Sequence, residues 1–124
     1  MVDFKNAEFL KLKQTDNNAY AAQIKPMLIA GEEIISTYKA MRDGVVFTNK
    51  RIFVINVQGL MGKKVDFSSL PYSKIQAFSV ETAGVLDLDS ELELWFSGLG
   101  RVKLEFTSQS NVSEICKFIS EKVL

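Results

Sequence analysis

Four basic side chains lie beside two of the turns that this sequence predicts. They are Lys39, Arg42, Lys63 and Lys64. Lysine and arginine bind phosphate groups through charge-assisted hydrogen bonds, so cations gathered at one end of a fold could hold an anionic ligand. The first turn, however, is only Asp43-Gly44, which is too short to wrap a large ligand and adds a negative charge. A run of charges is usually a solvated face, so the sequence favours that interpretation and leaves anion binding as the alternative.

Composition excludes several common catalytic and metal-binding arrangements. The 124 residues contain no histidine, which removes Ser-His-Asp and Cys-His arrangements and histidine-ligated zinc sites. The single cysteine, Cys116, permits no intrachain disulfide and no multi-cysteine metal site. We therefore expect a protein that is not an enzyme, that uses no cofactor or metal, and that resides in the reducing cytoplasm.

The charges balance, with fifteen basic and fifteen acidic residues. Proteins that bind nucleic acid usually carry a basic excess, so we expect no nucleic-acid partner. The longest apolar runs are far shorter than a membrane span, and we do not expect membrane binding.

Alternating apolar and polar residues predict seven antiparallel strands after residue 33. These are Ile34–Arg42, Val45–Thr48, Arg51–Val57, Lys64–Ser69, Ser73–Glu81, Glu91–Phe96 and Arg101–Phe106. The fifth strand changes its apolar face between Ala77 and Phe78, which predicts a bulge there. The last two strands form the clearest hairpin. A Gly98–Gly100 loop pairs Phe96 with Val102 and keeps six apolar residues on one face.

A helical segment is predicted before the strands. Residues 1–15 show no clean period, and we treat them as an extension without assigned structure. An apolar stripe at i, i+4, i+7 and i+8 then predicts a short helix that Pro26 bends. The stripe consists of Tyr20, Ile24, Met27 and Leu28. Residues 1–30 are thus expected to form an N-terminal extension with a short helix, and residues 31–124 the main domain.

A second, amphipathic helix follows the last strand. Asn111 and Glu114 have the spacing of a capping box. The apolar stripe of this helix is Val112, Ile115, Cys116, Ile119 and Val123. Seven strands in a meander followed by one helix predict a mainly β fold, in which a barrel of two roughly orthogonal sheets is capped by the C-terminal α-helix.

Several blocks of the sequence resemble the bacterial pleckstrin-homology-like (PH-like) family. They are Gly31-Glu32-Glu33-Ile34, Val46-Phe47-Thr48-Asn49-Lys50-Arg51, Gln58-Gly59 through Gly62-Lys63-Lys64, Pro71-Tyr72-Ser73-Lys74-Ile75, Phe78-Ser79-Val80-Glu81-Thr82-Ala83-Gly84, and Asp87-Leu88-Asp89 through Leu92-Glu93-Leu94-Trp95. The resemblance extends from about residue 17 to the C terminus and leaves residues 1–15 outside. Met61 stands where the family often has a small polar residue.

The resemblance implies a PH-like seven-stranded barrel, a binding role and ring-shaped homo-oligomers, but it supplies no ligand. Eukaryotic PH domains are best known for binding phosphoinositides through cations near the loops that follow their first and third strands. This sequence lacks their K-x(n)-[KR]-x-R pattern. We therefore predict no specific phosphoinositide binding.

Trp95 is the residue that most suggests an interface. Strict alternation places it on the polar face of its strand, away from the core stripe. Tryptophan is enriched at protein interfaces. The alternative is that Trp95 packs beneath the N-terminal helix, against Tyr20, Ile24 and Leu28.

The sequence thus predicts a non-catalytic binding or assembly module that self-associates and has an unidentified protein or peptide partner. The resemblance implies that the assembly is a ring. The alternative function is a peripheral membrane or anionic-ligand adaptor that uses the four basic residues. Because function is carried by sites and not by folds, the ligand stays open.

Overall fold

A computed structural model describes residues 1–59, 62, 64–82, 89–107 and 111–124. The strands in these ranges are β1 (Ala7–Thr15), β2 (Ile34–Lys39), β3 (Asp43–Thr48), β4 (Arg51–Gln58), β5 (Lys64–Pro71), β6 (Ile75–Glu81), β7 (Ser90–Phe96) and β8 (Gly100–Phe106). The helices are α1 (Ala21–Ile24) and α2 (Val112–Val123), with 3₁₀ turns at Lys25–Met27 and Tyr72–Lys74.

The described strands form one sheet in the order β5-β4-β3-β2-β1-β8-β7-β6. β1 is antiparallel to β2 and parallel to β8, whereas the other neighbouring pairs are antiparallel. Buried side chains from one face of all eight strands belong to a single core cluster, which includes Leu12, Phe47 and Leu104. The sheet therefore curls around this core as a half-barrel with β5 and β6 at its edges.

The predicted strand count of seven is wrong by one in the described chain, because β1 was not expected. Each predicted strand is present as β2 to β8, with ends that differ by up to three residues. In β1, Ala7 and Phe9 face the core, but Lys11 adopts a left-handed φ of 61° and the pairing shifts before the buried Leu12. This bulge breaks the alternation by which a strand is recognised, and it explains why residues 1–15 showed no period.

The β7–β8 hairpin has the predicted faces but a different register. Leu94 lies opposite Val102 and Phe96 opposite Gly100, a shift of two residues from the prediction. The shift arises because Gly100 is already part of β8, so that the loop consists of Ser97–Leu99. Because side chains alternate with a period of two, all six apolar residues of the hairpin still face the core.

The irregularity in β6 lies one step earlier than predicted. It falls between Ile75 and Ala77, and not between Ala77 and Phe78. Phe78 and Val80 then pack against the core, whereas Ala77 is exposed on the outer face.

The predicted N-terminal helix is only partly present, because just Ala21–Ile24 is α-helical and Lys25–Met27 forms a 3₁₀ turn. This segment packs on the outer face of the sheet. Tyr20 and Ile24 form a second apolar cluster with Val46, Phe53 and Ile55 of β3 and β4. Gly44 makes this contact possible, because a Cβ there would lie only 2.4 Å from the Tyr20 hydroxyl.

The C-terminal helix caps the half-barrel, as predicted. Its N terminus is capped by Asn111, whose side-chain oxygen accepts a hydrogen bond from the Glu114 N–H at 3.2 Å. Ile115 and Ile119 are buried in the core. Phe118 contacts the core edge-on, with ring centroids 6.5 Å from Phe47 and 5.7 Å from Tyr72. No helix in the described ranges is long and apolar enough to cross a lipid bilayer.

Candidate functional site

Three of the four predicted basic residues lie at one end of the half-barrel, which we call the mouth. It is formed by the β2–β3 turn and by the described ends of β4 and β5. This turn consists of residues 40–42, and not of the predicted Asp43-Gly44, because both of those residues belong to β3. Lys39 is exposed at the end of β2, and Lys64 begins β5 opposite Gln58. The Arg42 guanidinium donates a hydrogen bond to the Gly59 carbonyl. The backbone carbonyl of Arg42 accepts a hydrogen bond from the Val57 N–H at 3.2 Å. Lys63 lies outside the described residues.

The first residues of the chain occupy the inside of the mouth. Val2 belongs to the core cluster, and its N–H donates to Ser68 Oγ at 3.0 Å. Phe4 packs edge-on against Phe96 with ring centroids 5.8 Å apart. A Cβ at Gly100 would lie 2.7 Å from the Phe4 carbonyl oxygen, so this approach requires a residue without a side chain.

The cleft beside this N-terminal segment is acidic. It has a volume of about 300 Å³. Its carboxylates come from Asp3, Glu8, Asp43 and Asp66. Asp66 is paired with the N-terminal ammonium and Glu8 with Arg101. The charges of Asp3 and Asp43 still disfavour a phosphate group beside the basic residues of the mouth.

Trp95 lies on the outer face of β7 and is 46% exposed. Its cross-strand neighbours are Ala77 on β6 and Arg101 on β8. The alternative position beneath the N-terminal helix is wrong, because Tyr20 and Ile24 pack on β3 and β4. Trp95 therefore lies one strand away from the β6 edge of the sheet. We call Ala77, Ser79 and Trp95 the β6 edge surface.

Charged residues next to Trp95 are paired with one another. Lys103 Nζ lies 3.3 Å from a Glu91 carboxylate oxygen, and Arg101 Nη2 lies 3.6 Å from Glu8. This part of the outer face carries both signs of charge, since Glu93 also lies opposite Lys103.

A buried ion pair that the sequence analysis did not identify joins β4 to the segment before β2. The Glu32 side chain is inaccessible to solvent, and Arg51 Nη2 and Nε each lie 2.9 Å from one of its oxygens. Thr48 Oγ1 donates a hydrogen bond to the Glu32 carboxylate at 2.7 Å, and the Ile29 N–H donates another at 3.0 Å. Arg51 also stacks 4.3 Å over the ring of Phe53.

Burial raises the pKa of Glu32, but the hydrogen bonds from Arg51, Thr48 and Ile29 together outweigh it and hold that pKa below its usual value. Such a network stabilises structure and has no group free to react. No group of three or more His, Cys, Asp or Glu side chains in the part of the chain that the structure describes could hold a metal ion.

Comparisons with known proteins match this architecture. A family model, the bacterial PH domain, matches residues 3–123, which extends the likeness across β1. The uncharacterised protein YjqA of Bacillus subtilis (strain 168) is 41% identical over 104 residues, covering 82% of this chain and 83% of that protein.

Two solved structures are similar as well. A DUF1696 family protein with a pleckstrin-homology domain from Shewanella loihica PV-4 has 37% identity and a TM-score of 0.82, covering 94% of this chain and all of the other. A pleckstrin-homology domain from Shewanella amazonensis SB2B has 42% identity and a TM-score of 0.68, covering 89% and 90% of the two chains.

Proposed function

This chain belongs to the bacterial PH domain family, and we propose that it is a non-catalytic binding and assembly module that associates with further copies of itself. The observation that carries the proposal is the pair of sheet edges. β5 and β6 each have only one neighbouring strand among the described residues. An unpaired edge is a template for pairing with another chain. Because the two edges differ, a β5-to-β6 contact would be head-to-tail and could close into a ring.

The β6 edge surface supports this role. Trp95 exposes a large apolar area next to the edge strand, where a contact between two copies would cover it. Fifteen acidic and fifteen basic residues cancel, so identical copies experience little long-range repulsion.

Light scattering after size exclusion tests the proposal at micromolar protein concentration. We expect a mass several times 13.9 kDa. Trp95→Ala should lower this mass or weaken the association while the circular dichroism spectrum stays unchanged. Met41→Ala is the matched control, because Met41 is 97% exposed but lies in the β2–β3 turn.

The outcomes separate two claims. A wild-type protein that is strictly monomeric over this concentration range would refute self-association. An oligomer that Trp95→Ala and Met41→Ala leave equally intact would refute only the assignment of Trp95.

A further inference from the structure

A second cleft lies between β2 and the first turns of α2, and no function has yet been assigned to it. Its volume is about 280 Å³. One side of the cleft is apolar and is formed by Tyr38, Phe47, Ile115 and Phe118. Tyr38 and Phe47 pack edge-on with ring centroids 5.7 Å apart, so this side is held in place by the core.

Among the described residues that line this cleft, Glu114 alone is charged. It is exposed, and within the described chain no hydrogen bond or ion pair reaches its carboxylate. Its backbone N–H is used by the Asn111 cap, but its side chain is available. Lys122 lies 5.5 Å over the Phe118 ring, yet it does not line the cleft.

The hydroxyl of Tyr38 gives the cleft a neutral polar group. Burial raises the pKa of Tyr38; a hydrogen bond with Ser36 lowers it, and the Glu114 charge raises it further, with a net increase. Tyr38 therefore stays protonated at neutral pH, and Glu114 is near enough for its charge to act on the hydroxyl.

We propose that this cleft binds a primary amine carried on an apolar body about the size of one aromatic ring, with the ammonium group on the Glu114 carboxylate. An apolar wall beside a single carboxylate favours a ligand that has one apolar part and one positive charge. A charged hydrogen bond to a carboxylate is among the stronger polar contacts available in such a site. A ring with a two-carbon amine also fits within the observed volume.

Three probes of similar size separate charge from shape: 2-phenylethylamine, 2-phenylethanol and 3-phenylpropionate. Each is titrated into the ¹⁵N-labelled full chain, and chemical shifts are followed at Tyr38, Glu114 and Ile115. Small ligands of this size bind with dissociation constants on the order of millimolar. We expect the amine to bind about two- to fivefold more tightly than the alcohol, because Glu114 is exposed, and the anion to bind most weakly.

Two variants locate the charge. Glu114→Gln should remove the advantage of the amine over the alcohol, whereas Glu121→Gln, an equal change at an exposed position of α2 that does not line the cleft, should preserve it. Equal binding of all three probes, loss of the amine preference in Glu121→Gln, or no shift at these residues would overturn the proposal. None of these residues belongs to the β6 edge surface, so a monomeric protein could still bind the amine and an oligomer could fail to do so.

Discussion

The buried ion pair between Glu32 and Arg51 is the part of this fold whose strength can be tested by a change of a few atoms. Glu32→Gln keeps the size of the side chain and removes its charge. The carboxylate now accepts four hydrogen bonds, from Arg51 Nε, Arg51 Nη2, Thr48 Oγ1 and Ile29 N–H. A glutamine has only one oxygen, so its NH₂ group would face an arginine nitrogen that also donates.

The expected loss follows from this mismatch. Removing one partner of a buried ion pair costs about 3–5 kcal/mol, because the remaining charge loses its compensation. The Arg51 side chain is 21% exposed, so water can partly solvate its charge. We therefore expect a loss of about 3 kcal/mol in the free energy of unfolding, near the lower end of that range.

Urea denaturation followed by circular dichroism measures this loss. With a slope of about 2 kcal/mol per molar urea, the midpoint should fall by about 1.5 M. Glu33→Gln is the matched control, because Glu33 is the exposed neighbour and its side chain has no part in the pair. Replacing Glu32 and Arg51 together by methionine should be less damaging than Glu32→Gln, since no buried charge is then left alone.

The pair also predicts how stability depends on pH. The folded-state pKa of Glu32 lies below its unfolded-state pKa, which is about 4.3. Its contribution is therefore complete above that pH and is lost as the pH falls through the folded-state value. The difference in stability between wild type and Glu32→Gln should shrink below about pH 4.

Two results would refute this reasoning. One is a loss below about 1 kcal/mol at neutral pH, the magnitude of an exposed pair. The other is a difference between wild type and Glu32→Gln that stays constant from neutral to acidic pH.

Two further predictions concern the helix cap and the mouth. Ile119→Ala should lower the free energy of unfolding by about 2–5 kcal/mol, because Ile119 is fully buried on the core-facing side of α2 and a cavity would remain. An unchanged urea midpoint would contradict this. Vesicles containing phosphoinositides should retain no more protein at physiological salt than phosphatidylcholine vesicles do. Headgroup-selective retention that Lys39→Glu or Arg42→Glu abolishes would show that the mouth binds anions after all.

The sequence predicts faces more reliably than pairings. In the β7–β8 hairpin, strict alternation identified all six apolar residues that face the core, because their burial depends only on a period of two. The register depends on where the turn begins, and Gly100 is compatible with either a loop or a strand. Gly100 contacts Phe4, which is distant in sequence. No local pattern therefore indicated that Gly100 belongs to β8.

The Glu32–Arg51 pair illustrates why contacts between distant parts of the chain could not be predicted from the sequence. Glu32 and Glu33 look alike in the sequence, as two acids after Gly31. Only the fold distinguishes them, because the hairpin that places Arg51 beside Glu32 leaves Glu33 exposed. The Glu114 cleft was missed for a similar reason: the capping-box spacing explained Glu114, and nothing local indicated that β2 would lie opposite it.

The unexpected strand β1 also changes where a ligand could bind. The residues before it bring Val2 into the core and place Phe4 against Phe96, so the inside of the mouth is filled by the chain itself. The cleft that is left there is lined by carboxylates, and Arg42 is engaged with the Gly59 carbonyl. An anionic ligand at the mouth would have to displace packed apolar groups and overcome this negative charge. The β6 edge and the α2 cleft require neither, and for that reason we place self-association and ligand binding on those two surfaces.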